Sequence, residues 1–122
     1  MRVILVEPNT PPRIAEVENT LKSLQNTVGG YIEVLSMDHL DPNILLICNE
    51  EGKLMGLPVN RTLHDRYGNT LDYIAGTFII CAERNGEFFS IPKKLENKYL
   101  EHFASDEVLW DERQHKHIDW ER

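Results

Sequence analysis

The run Ile44-Leu45-Leu46-Ile47-Cys48 constrains this chain more than any other feature. Its continuous apolar character, with no polar alternation, suits a central strand covered on both sides. A second apolar run, Phe78-Ile79-Ile80-Cys81, falls within the longest strand candidate, Leu71 to Ala82, which Gly76 interrupts. Glycine inside a strand marks a bulge or a close approach of another backbone. Between the runs lie Glu50-Glu51-Gly52-Lys53 and Leu57-Pro58-Val59-Asn60-Arg61, more polar than a plain hairpin requires.

Around these runs the chain reads as one domain. Its 122 residues, 41% hydrophobic, fill one modest core. Arg2 to Glu7 is a short strand, and Arg13 to Val17 alternates as its hairpin partner. Asn19 is an N-cap candidate for a helix whose buried face carries Leu21, Leu24 and Val28. Gly29-Gly30 stops that helix. Tyr31 to Leu35 is a further strand. Glu50 to Lys53 reads as a tight hairpin turn with Gly52 at positive φ, and Pro58 opens a short helical pattern through Leu63. Arg84-Asn85-Gly86-Glu87 is the strongest turn signal, a two-residue Asn-Gly hairpin into Phe88, Phe89 and Ile91. Leu95, Tyr99, Leu100 and Phe103 make the stripe of a second helix. The expected architecture is α+β: a mainly antiparallel sheet with two principal helices packed on it. Residues 1–104 form the core domain. Residues 105–122 form a charged extension whose tryptophans, Trp110 and Trp120, are expected to dock on the body or on another subunit.

Charge excludes some roles. The formal net charge of −7 opposes binding to a nucleic-acid backbone, though it permits a local basic pocket, or an acidic face that meets a basic partner. The first apolar stretch is too short for a signal peptide, and no run reaches membrane-spanning length. These features read as a soluble, reduced, cytoplasmic chain. Cys48 and Cys81 read as small buried hydrophobes; a disulfide between adjacent strands stays open but unneeded.

Four blocks carry a resemblance. They are Arg2-Val3-Ile4-Leu5-Val6-Glu7-Pro8; Leu21 to Gln25 running into Val28 to Glu33; Cys48-Asn49-Glu50-Glu51-Gly52-Lys53-Leu54 with Gly56-Leu57-Pro58-Val59-Asn60-Arg61; and Asp72-Tyr73-Ile74-Ala75-Gly76-Thr77-Phe78. Over about residues 1 to 104 the chain resembles a family of small proteins classed as a domain of unknown function, carried by bacteriophages and conjugative elements. The resemblance implies a mobile-element accessory protein acting in the host bacterial cytoplasm. Genes in that setting often encode inhibitors of host defence, which bind a host effector or sequester a nucleotide signal.

The candidate site is Asn49, Asn60 and Arg61, with the Thr77 hydroxyl beside them. Amides and a guanidinium fork suit a carboxylate, a phosphate or a base edge. The competing reading has the asparagines serving turns and caps while Arg61 pairs with Glu50, Glu51 or Asp65. Gly52-Lys53 and Gly56 lack P-loop spacing, and the His115-x-His117 pair has no third ligand at a telling spacing, so neither a cofactor nor a metal is expected. No nucleophile–base pair can be assembled. The expectation is a non-enzymatic binding protein that takes a host protein or a small anionic ligand, with homo-oligomerisation open. The alternatives are a small hydrolase or transferase built on Asn49, Asn60 and Arg61, and a self-assembling structural protein.

Overall fold

The computed structural model describes residues 1–110 and the backbone of His117–Ile118. The two apolar runs become neighbouring central strands. β4 (Ile44–Asn49) pairs antiparallel with β7 (Phe78–Arg84), with Leu45 opposite Cys81 and Ile47 opposite Ile79. β1 (Arg2–Val6) adds to β7, and β2 (Arg13–Glu16) closes that edge as the expected hairpin partner. β3 (Ile32–Ser36) flanks β4 on the other side and pairs with the short β10 (His117–Ile118). β8 (Glu87–Phe89) returns along β7 through the Asn85-Gly86 turn, where both residues have positive φ. Together these make a seven-stranded antiparallel sheet.

A second, three-stranded sheet has the order β6-β5-β9. It contains β5 (Val59–His64), β6 (Thr70–Ala75) and β9 (Glu107–Leu109), with β9 parallel to β5. Three sequence expectations change here. The segment after Pro58 is a strand rather than a helix. Leu71–Ala82 is two strands in two different sheets, broken at Gly76. Residues 50–56 form a chain of turns that carries the backbone from one sheet to the other, so they are no hairpin.

The alternation of strand side chains sorts the core into two clusters. Val3, Val34, Leu45, Ile47, Ile79 and Cys81 face helix α1 (Leu21–Val28) and its buried Leu24 and Val28. Ile4, Val6, Leu46, Cys48, Phe78 and Ile80 face the other way, toward the second sheet and α2 (Glu96–His102) with its buried Tyr99. The large sheet is therefore covered on both faces, as the unbroken apolar sequence of β4 requires. Thr20 rather than Asn19 caps α1, its hydroxyl accepting from the Ser23 N–H at 3.1 Å, and Gly29 closes the helix at φ 84°. Asn19 instead donates to the Phe88 carbonyl at 2.9 Å. Arg2 holds the start of α2 through a two-pronged pair with Glu96 at 2.5 and 3.2 Å. The guanidinium keeps the Glu96 carboxyl below its ordinary pKa.

Residues 105–110 are built into this body. β9 pairs with β5, the Thr62 N–H donates to the Asp106 carbonyl at 2.8 Å, and Trp110 is 1% exposed within the core. Trp110 thus fills this chain's own interior against the His39 ring, 4.5 Å between centroids, and presents no surface to a partner. The side chains of His115, His117 and Trp120 lie outside the described residues.

Candidate functional site

Asn60 and Arg61 sit on β5, 4% and 1% exposed, where the two sheets meet the end of α2. Asn60 Nδ2 donates to the carbonyls of Val6 and Gly76 at 2.9 and 2.8 Å, tying β1 to the turn between β6 and β7. Its Oδ1 accepts from Arg61 Nη1 at 2.8 Å. Arg61 Nε donates to the Phe103 carbonyl at 2.9 Å and Nη2 to the Thr10 carbonyl at 3.0 Å. Burial lowers the Arg61 pKa, and Asp106, 3.9 Å away and largely exposed, opposes that shift. A guanidinium has five N–H groups in a planar fork, and here the fork clamps two distant backbone carbonyls and the Asn60 side chain. The expected partners Glu50, Glu51 and Asp65 are not those it uses.

Asn49 lies elsewhere, at the end of β4 in the large sheet. Its Nδ2 donates to the Val28 carbonyl at 3.1 Å, satisfying an open carbonyl at the C-terminus of α1, and its Oδ1 accepts from the Glu51 N–H at 2.8 Å. Its partners Val28 and Glu51 are different from those of the Asn60–Arg61 pair. The structure therefore joins two of the three expected residues and turns both inward, while the third organises a turn. Thr77 is half-buried just after Gly76, at the passage between the sheets. Gly76 has φ 84°, and a Cβ there would lie 2.7 Å from Leu57 Cδ1, so this passage admits glycine alone without rearrangement.

The surface features of this region lie on the loop between β4 and β5. Gly52 is buried, and a Cβ on it would sit 2.6 Å from the Ala75 carbonyl oxygen. Its role is close packing against β6; positive φ belongs to Gly56, at 69°. Backbone bonds from Met55 N–H to the Glu51 carbonyl at 2.9 Å and from Leu57 N–H to the Gly52 carbonyl at 3.0 Å fold the loop on itself. The loop then holds outward the side chains that sequence reasoning missed: Leu54 is 88% exposed, Met55 53% and, beside them on the chain entering β3, Tyr31 58%. Two concavities flank this rim. One is bordered by Tyr31, Glu50, Glu51 and Leu54, and the other includes Asn49, Glu51, Tyr31 and Met55, so they meet at Tyr31 and Glu51. On the inner side of the loop a cleft of about 430 Å³ opens between the two sheets, walled by Glu33 and Cys48 on one side and by Asp72 and Tyr73 on the other.

The chemistry of this region is unsuited to a thiolate. Cys48 is 4% exposed, and burial first, then the neighbouring Glu33 carboxylate, raises its pKa. Cys81 is raised to about 12 by burial. The two thiols lie in different clusters on opposite faces of the sheet and are free, so the disulfide left open by the sequence does not form. Among the described residues no group of three or more His, Cys, Asp or Glu is placed to hold a metal.

The fold and site define a small α+β domain: a double-covered antiparallel sheet with an apolar-tipped loop over an inter-sheet cleft. The chain belongs to the DUF3846 family, a domain of unknown function, whose model matches residues 1–104. No curated protein and no solved structure matches it. Among the described residues no helix is long and apolar enough to cross a membrane.

Proposed function

We propose that this chain is a non-enzymatic binding protein that takes a protein partner on the face formed by Tyr31, Leu54 and Met55. The observation that carries this reading is the exposure of three large apolar side chains on one rim whose loop is pinned by buried Asn49 and Gly52. None of the three belongs to either core cluster, and apolar rims edged by polar groups mark contact surfaces. Glu50 and Glu51 edge the rim, which favours a partner with basic residues around an apolar contact. They disfavour a small anion, and a symmetric contact between two copies would set these carboxylates against each other. The hydrolase alternative has less support, because Asn60 and Arg61 spend their donors on backbone carbonyls. An accessory role against host defence, in a phage or mobile element, is the setting in which such a surface would act.

The test is native mass spectrometry of the chain recovered from bacterial lysate, beside Leu54→Glu/Met55→Glu. The wild-type chain should retain a protein that the variant loses at an unchanged melting temperature. Equal retention by both, or no retained protein, overturns the reading.

A further inference from the structure

The cleft behind the loop already holds a cation, and it is the chain's own. Lys53 pairs its ammonium with Asp72 and places it 4.6 Å from the centroid of the Tyr73 ring. A carboxylate on one side and an aromatic face on the other make a cation seat, since the ring quadrupole attracts positive charge. The rest of the cleft strengthens that preference. Glu33, Glu50 and Glu51 also line it, and Lys53 is the one basic residue among the lining. The seat is only lightly held: Lys53, Asp72 and Tyr73 are all more than one-third exposed, and exposed ion pairs and exposed cation–π contacts are each weak.

We propose that the cleft receives an arginine side chain of the partner, with Lys53 as a tethered resident that the incoming guanidinium replaces. The inference rests on the protein-binding reading above and names the chemistry of the contact. Arginine is favoured over lysine because its planar guanidinium stacks on the Tyr73 ring while presenting a paired donor edge to Asp72. Lys53 stands on the same loop as Leu54 and Met55, so a partner seated on the rim has the cleft mouth within side-chain reach. Displaced, Lys53 swings to solvent and leaves the Asp72 carboxylate and the Tyr73 ring to the newcomer.

The probe is the capped tripeptide acetyl-Gly-Arg-Gly-amide, titrated by NMR into the wild-type chain, Lys53→Met, Lys53→Met/Asp72→Asn and Lys53→Met/Tyr73→Leu. Removing the resident should tighten binding about tenfold, with shifts at Tyr73 and Glu33. Either second substitution should then abolish it at an unchanged melting temperature. A norleucine tripeptide should not bind. The proposal is overturned if Lys53→Met binds no tighter than wild type, if norleucine binds equally, or if binding survives either second substitution. The titration needs no partner, so its failure alongside a retained lysate protein removes the cleft and leaves the rim standing.

Discussion

Replacing Arg61 by alanine should destabilise this chain severely and leave surface binding intact in whatever fraction stays folded. The side chain is 1% exposed and donates to the Phe103 carbonyl, the Thr10 carbonyl and Asn60 Oδ1. Alanine leaves three acceptors facing a cavity, and each unpaired buried acceptor costs about 1–3 kcal/mol. Water entering the vacated space relieves part of that, so the net loss is about 3–5 kcal/mol. Against a total stability of about 5–15 kcal/mol this removes a large share. At this chain length it lowers the melting temperature by roughly 10–20 °C. Urea unfolding followed by tryptophan fluorescence measures it, with Arg61→Lys as the companion. Lysine keeps the charge but cannot span three carbonyls with one ammonium, so it should lose about half as much. An Arg61→Ala chain within about 1 kcal/mol of wild type would refute the clamp and return Arg61 to the list of ligand contacts.

Four further outcomes follow from the same geometry. Gly52→Ala should cost about 1–3 kcal/mol in urea unfolding, because its Cβ meets the Ala75 carbonyl at 2.6 Å. Gly56→Ala, with nothing within 4 Å but φ 69°, should cost only about 1 kcal/mol. Burial first, then His39 and Lys98, lowers the His102 pKa to about 4, against 6.5 in the unfolded chain. The unfolded state therefore binds the extra proton between those values, and stability falls as pH drops from 6.5 toward 4. Part exposure limits this to about 1–2 kcal/mol, and His102→Gln should flatten that part of the pH profile of the urea midpoint. Cys48 and Cys81 should resist alkylation at pH 8 in the native chain and react fully in denaturant; rapid native labelling of either would contradict their burial.

Where side chains obey simple periodicity, the fold was legible. Continuous apolar sequence identified β4 as doubly covered, and Asn85-Gly86 identified the hairpin from β7 to β8. β5 was misread because its two inward polar residues, Asn60 and Arg61, disguise a strand whose burial comes from hydrogen bonds to distant backbone. No local pattern announces that Val6, Thr10, Gly76 and Phe103 will supply those acceptors. The same long-range bonding explains the candidate site. Residue types suited to gripping a ligand are equally suited to gripping a backbone, and only the fold decides between them. Leu54 and Met55 were overlooked for the converse reason. Apolar residues near glycines resemble packed turn residues until their exposure is known. Of the two docking places expected for Trp110, the body of this chain is the one it takes, and the contact to another subunit is not.

The placement of β9 beside β5 bears on how the chain matures. Thr62, Leu63 and His64 reach their partners Glu107, Val108 and Leu109 only after some forty-five intervening residues have been made. A nascent chain that stops short of residue 107 lacks both that strand and the indole that seals the interior. Its smaller sheet stays open until those residues have been made, so fragments ending before Trp110 present raw apolar surface to chaperones and proteases.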